Sequence, residues 1–175
     1  RTVTVDIGGL AFTPTCSALA WTTGAVDVSA AADSLTLAIT ADHTDVALNN
    51  AAQASTTVIK DTAAPTVTIT SSPAINNANK AAYTVSGACS ENTRTVTVDI
   101  GGLAFTPICS ALAWTTGAVD VSALADSLTL AITADHNDAF LNNATQATAS
   151  VIKDTIDPTV TITSSPAINN ANKAA

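Results

Sequence analysis

The sequence has few aromatic and few basic residues, and both shortages restrict what the protein can do. Aromatic residues make up 3% of the chain, and 6 Lys and Arg stand against 14 Asp and Glu, for a formal net charge of −8. So few cations cannot neutralise a series of phosphates, which argues against partners such as nucleic acid and anionic membranes. No run approaches the roughly 18 apolar residues of a membrane span, so we predict no membrane insertion of this segment.

Signatures of catalysis are scarce as well. The chain has two histidines, His43 and His136, and neither has a second histidine at metal-binding spacing. We expect both to be solvated loop residues. The sequence contains no Gly-x-Ser-x-Gly motif and no glycine-rich phosphate loop. These observations predict that the protein is not an enzyme.

An internal repeat with a period of 93 residues dominates the sequence. Residues 1–82 align with residues 94–175 without a gap, and 71 of the 82 pairs are identical. A period of this size corresponds to one small domain, so the chain is a tandem array. We predict the C-terminal part of a repeat at 1–61, a complete repeat at 62–154, and the first-strand region of a following repeat at 155–175.

Both ends of the chain fall inside repeats, because the segment 83–93 has no second copy. We expect the chain to be a window on a longer array. The alternative is a polymerising subunit, in which residues 155–175 of one copy complete residues 1–61 of another by strand addition.

The local pattern predicts an all-β fold. Thr alternates with Val, Ile or Leu at 66–70, 95–99 and 127–133, which is typical of half-buried strands. The Gly101-Gly102 pair between two such runs is a hairpin signal, since both residues can adopt positive φ. Seven short strands in about 93 residues are typical of an immunoglobulin-like β-sandwich. The predicted strands are 65–71, 82–89, 94–100, 103–109, 112–121, 127–134 and 147–153.

The cysteines favour a covalent brace. The complete repeat has Cys89 and Cys109, and Cys16 is the equivalent of Cys109 in the first repeat. Two cysteines per acidic, Thr-rich repeat indicate a Cys89–Cys109 disulfide and an oxidising compartment. The alternative is a pair of buried thiols. The cysteine that would pair with Cys16 lies outside this sequence.

Four segments of the complete repeat resemble bacterial immunoglobulin-like repeats of large secreted adhesins and other surface fibres. They are YTVSGACSEN at 83–92, WTTGAVDVS at 114–122, ADHNDAFLN at 134–142 and KDTIDP at 153–158. The resemblance implies an immunoglobulin-like sandwich, tandem display outside the cell and a mainly spacing role. In many members of this family calcium stiffens the junction between domains.

One loop departs from the family's pattern, which is usually Asp-Ala-Ala-Gly-Asn. This chain has Leu141 at the glycine position of 138–142, and Leu48 at that of 45–49. Because leucine disfavours the positive φ that glycine permits, we expect a different backbone conformation in this loop.

An immunoglobulin-like sandwich would bring a set of oxygen ligands to one end of the complete repeat, next to the preceding linker. Calcium prefers six to eight such ligands from Asp, Glu, Asn and carbonyl groups. The interpretation without a metal is that these are solvated turn residues. Asp42, Asp45 and Asn49 are the first-repeat equivalents. The candidate calcium ligands are Asp61, Glu91, Asp135, Asp138 and Asn142.

The sequence therefore predicts an extracellular stalk, spacer or fibre segment on a bacterial surface. Its partners are neighbouring repeats and, in one alternative, other copies of the same chain. That alternative is a self-assembling filament or sheath subunit completed by strand exchange. A second alternative is a multivalent module that binds a glycan or receptor, since repetition multiplies weak binding.

Overall fold

The computed structural model describes residues 1–169 and 173, and in this part of the chain all regular structure is β. Eleven strands form three antiparallel sheets, and no helix occurs among the described residues. The predicted all-β fold class is confirmed. By internal contacts the chain divides into two compact units, one of residues 1–65 with 137–143, the other of residues 66–136 with 144–175. The predicted repeat bounds stay a prediction.

The complete repeat is a sandwich of two sheets. One sheet has the order β8-β7-β10-β11 and the other the order β5-β6-β9. All seven strands occur where a strand was predicted, although β9 covers only three residues of the predicted 112–121. The strands are β5 (Val67–Ser71), β6 (Ser86–Cys89), β7 (Val96–Ile100), β8 (Leu103–Phe105), β9 (Ala113–Thr115), β10 (Ser127–His136) and β11 (Ala147–Lys153).

The core of this sandwich follows from the alternation of the sequence. In β7, Val96, Val98 and Ile100 are buried, whereas Thr97 between them is exposed. β7 and β8 are joined by Gly101 and Gly102, which have φ of 57° and 95°. These values fit the two-residue hairpin turn in which both central residues have positive φ, so the predicted hairpin is confirmed.

A disulfide and a tryptophan close the core between the two sheets. Cys89 at the end of β6 is bonded to Cys109, and both residues are buried. Trp114 is buried in β9, and its indole N–H donates to the Thr68 carbonyl at 3.1 Å. Gly87 lies opposite Trp114, and a Cβ there would collide with the indole and with the Thr68 carbonyl. The sheet β5-β6-β9 therefore needs glycine at 87.

Residues 1–60 form a single four-stranded sheet of order β2-β1-β3-β4. Its strands are β1 (Val3–Ile7), β2 (Leu10–Phe12), β3 (Ser34–His43) and β4 (Ala54–Lys60). The register repeats that of the complete repeat: Val5 pairs with Phe12 as Val98 pairs with Phe105. This sheet is thus the counterpart of β8-β7-β10-β11.

Three expectations are corrected. Residues 157–169 lie in no strand, although 155–175 was expected to be the first-strand region of a repeat; residues 170–172, 174 and 175 fall outside the described part. His136 is buried at the end of β10 and His43 ends β3, so neither is a solvated loop residue. The reason is that β10 and β3 extend two residues beyond the predicted 127–134 and its counterpart, carrying each histidine into the sheet.

Candidate functional site

The loop 137–143 contains two of the five candidate calcium ligands, and its carboxylate is used to hold the loop. Asp138 Oδ1 accepts the N–H groups of Phe140 (2.8 Å) and Asn142 (2.9 Å), and Oδ2 accepts the Asn142 amide at 2.7 Å. The same amide donates to the Asp61 carbonyl at 3.2 Å. The structure therefore brings Asp61, Asp138 and Asn142 together in the first compact unit.

The other two candidate ligands belong to the second compact unit. Asp135 accepts the Gln146 amide with both carboxylate oxygens, at 3.0 and 2.9 Å. The Glu91 N–H donates to His136 Nε2 at 3.3 Å, while His136 Nδ1 lies 3.1 Å from the Thr95 carbonyl. Because a carbonyl only accepts, Nδ1 carries the proton and the imidazole is neutral. His136 thus fixes the loop of Glu91 to a strand end.

The described residues contain no group of three or more His, Cys, Asp or Glu side chains placed to hold a metal ion. The first repeat has the same arrangement without Glu91. Asp45 Oδ1 accepts from Ala47 and Asn49, and Asp42 accepts from Gln53. The Asn49 side chain lowers the pKa of Asp45 by donating to its carboxylate. In the arrangement described, these carboxylates receive N–H donors, as turn-capping aspartates do.

Leu141 does adopt the backbone conformation that glycine favours. Its φ is 68°, and that of Leu48 in the first repeat is also 68°. The expectation that leucine forces a different conformation was therefore wrong. The hydrogen bonds from Phe140 and Asn142 to the Asp138 carboxylate fix the loop, and this outweighs the roughly 1–2 kcal/mol cost of a left-handed side-chain residue.

A second constellation, which the sequence interpretation missed, anchors the end of each repeat. In the complete repeat Asp126 accepts the Lys153 ammonium (3.1 Å), the Thr155 N–H (3.1 Å) and the Thr155 hydroxyl. In the first repeat Asp33 binds Lys60 (2.8 Å) and Thr62 in the same way. The signal was available: Asp-Ser-Leu precedes Lys-Asp-Thr by the same spacing in both repeats.

These anchors combine charge with backbone hydrogen bonds. The Lys60 ammonium, followed by the Thr62 N–H, lowers the pKa of Asp33 from 3.8 to about 2. The Thr155 N–H, followed by Lys153, lowers the pKa of Asp126. Lys153 is buried, so its charge needs the Asp126 carboxylate. Each anchor fixes the first residues after the last strand of a repeat and so sets where the linker leaves the sheet.

Solved structures similar to this one come from large bacterial adhesins. One is described as a Ca²⁺-stabilized adhesin that helps an Antarctic bacterium reach out and bind ice; it is 26% identical, with a TM-score of 0.51 over 89% of this chain and 40% of that chain. A structure concerned with host cell surface retention of a 1.5-MDa bacterial ice-binding adhesin is 24% identical, with a TM-score of 0.49 over 89% and 53%.

A third structure is a tetra-tandem repeat in the extending region of a large adhesion protein, at 20% identity and a TM-score of 0.43 over 86% and 40%. This chain thus spans between two fifths and about half of the chains it matches. No family model and no curated protein matches the sequence. In the described part of the chain, no helix is long and apolar enough to cross a membrane.

The Asp33 anchor should titrate far below an ordinary carboxyl. Its folded pKa is lower than its unfolded value, so its stabilisation is complete above about pH 4 and is lost as the pH falls through about 2. We expect the Thr62 amide resonance, followed by NMR, to stay nearly constant from pH 5 to pH 3. In the Asp33→Asn variant it should lose its low-pH transition. A midpoint near 3.8 would contradict the anchor.

Replacing Leu141 by glycine should stabilise the loop. The φ of 68° strains leucine, and the side chain is exposed, so the variant loses little packing. We expect Leu141→Gly to raise the free energy of unfolding by about 0.5–1 kcal/mol in thermal or denaturant melts. The matched control is Leu128→Gly in β10, also exposed, which should lower it by a similar amount because φ there is ordinary. Equal destabilisation by both variants would refute strain at Leu141.

Proposed function

We propose that this chain is a segment of an extracellular stalk or spacer on a bacterial surface and that it is not an enzyme. The observation that carries the proposal is the recurrence of one anchor in both repeats. Asp33 with Lys60 and Thr62, and Asp126 with Lys153 and Thr155, fix the exit of the last strand in the same way. A unit that repeats its own exit geometry suits regular spacing.

The similarity to a bacterial adhesin at 26% identity supports this role. The Cys89–Cys109 disulfide supports an oxidising, extracellular location. The linkers at 59–65 and 152–158 are short and end in proline, which restricts the chain more than a Gly/Ser linker does. Length and spacing, rather than chemistry at a pocket, are the properties that such a segment supplies.

The proposal includes an immunoglobulin-like character for the repeat and calcium as a stabilising ion. The similar adhesin is described as Ca²⁺-stabilized, and carboxylate and carbonyl oxygens of Asp61, Asp138 and Asn142 are the type that calcium prefers. These residues fit a cation only in part, because their oxygens accept N–H groups in the described arrangement. Calcium binding would therefore replace some of the hydrogen bonds within the loop.

Calcium removal tests this part of the proposal. We expect the melting temperature of the chain to be higher in calcium than in EDTA, and Asp138→Asn to abolish the difference. Asp45→Asn is the matched control, because it makes the same change in the loop of the first repeat, where Glu91 has no counterpart; it should preserve the calcium response. A chain that melts at the same temperature with and without calcium would rule out the stabilising ion.

The mass of the native polypeptide, fully reduced and denatured, tests the stalk. We expect a species far larger than the 17.4 kDa of this chain, since a spacer gains reach from many repeats. A species of that small mass would contradict the stalk. Specific hits of this chain on a glycan array would instead favour the multivalent binding module.

A further inference from the structure

The four-stranded sheet of residues 1–60 has an open apolar face. Its counterpart in the complete repeat is covered by β5, β6 and β9, and a second sheet is described only there. Trp114 is 3% exposed, whereas the equivalent Trp21 is 43% exposed; Val151 is 6% exposed and Val58 45%. Since the strands and registers match, the difference arises from the second layer.

Two grooves lie on this open face. One is lined by Val3, Cys16, Ala41 and Ala54, together with Trp21, and the other by Ile39, Thr56 and again Trp21. The lining is largely apolar, so the hydrophobic effect favours an occupant that presents apolar side chains in an extended conformation.

In the complete repeat the segment 65–82 supplies such side chains to the equivalent sheet. Val67 in β5 is buried in the core. Ile75 extends the sheet edge parallel to β11: its N–H donates to the Ile152 carbonyl at 2.9 Å, and its carbonyl accepts the Asp154 N–H at 2.9 Å. Ile75 is fully buried there.

The chain carries the same 18-residue sequence again at 158–175. Val160, Ile162 and Ile168 are the counterparts of Val67, Ile69 and Ile75. In the structure they lie in no strand and are 95%, 85% and 82% exposed. A sequence that packs on a sheet in one place thus displays its apolar side chains to solvent in the other.

The edge that would receive this segment is also present. β4 is the edge strand of its sheet, as β11 is in the complete repeat. The Ile59 carbonyl and the Asp61 N–H correspond to the groups of Ile152 and Asp154 that bond Ile75. An edge strand with such groups is a template for pairing with another chain.

We propose that residues 158–169 of one copy dock on the sheet of residues 1–60 of a second copy. Ile168 lies parallel to β4, between the Ile59 carbonyl and the Asp61 N–H. Val160 and Ile162 cover the open face where Val67 and Ile69 lie in the complete repeat. The occupant is this segment because its sequence is identical to the one that covers the equivalent sheet.

Each copy then has one donor segment and one acceptor sheet, so the association is head-to-tail and forms open chains rather than closed dimers. The donor brings no counterpart of β6 and no cysteine equivalent to Cys89. Cys16 therefore stays a thiol, and the association is non-covalent, reversible and dependent on concentration. This inference is independent of the proposed stalk.

The test is sedimentation velocity of the 175-residue chain at increasing concentration. All samples carry Cys16→Ser, so that no disulfide between copies imitates docking. We expect the weight-average mass to rise past that of a dimer. Ile168→Asp should remain monomeric, because it places a charge against the β4 edge. The matched control Ile156→Asp changes an isoleucine that is similarly exposed and lies outside the segment; it should associate like the parent chain.

A second measurement reports on the acceptor. Trp21 fluorescence should shift to the blue as association proceeds, and a peptide of residues 158–169 added in excess should produce that shift while dissociating the chains. A chain that stays monomeric at every concentration, including one closed on its own segment, overturns the proposal. Association that persists in Ile168→Asp overturns it as well, because another surface would then be responsible.

Discussion

In the complete repeat, β5, β6 and β9 cover the inner face of the sheet β8-β7-β10-β11, and the other features of the fold depend on this burial. The Cys89–Cys109 disulfide and the Trp114 indole both lie between the two layers. Residues 1–60 show the consequence of its absence. The same strands form in the same register, yet Trp21 and Val58 are exposed. Strand pairing thus persists without the second layer, and the burial of apolar area, which stabilises small domains, does not.

The polar residues serve geometry rather than chemistry. Asp126 and Asp33 each hold a lysine and a threonine, and so fix the exit of the last strand. Asp138 and Asp45 each hold their own loop, and the imidazole of His136 connects the loop of Glu91 to Thr95. A chain with 3% aromatic residues and few cations has little to offer a ligand but can repeat one shape. This agrees with the similarity to bacterial adhesins.

The candidate site was predictable in part. The acidic and amide residues were identified from their composition, and the structure does join Asp61, Asp138 and Asn142. Which oxygen each donor reaches was not predictable, because these hydrogen bonds depend on rotamers and loop closure. The positive φ of Leu141 was missed for a related reason. Intrinsic preference opposes it, and only the hydrogen bonds around Asp138 explain it. The anchors at Asp33 and Asp126 were overlooked although their spacing recurs.

The sequence by itself determined the 93-residue period, the all-β class, the seven strand positions and the Gly101-Gly102 hairpin, because alternation and turn residues are local properties. Tertiary structure alone decided which copy of an identical segment is ordered. Ile75 is buried and Ile168 is exposed, although the residues around them are the same. The physical reason is that burial belongs to the partner surface as much as to the segment. Ile75 has β11 beside it and a core beneath it, whereas Ile168 has neither in the described chain.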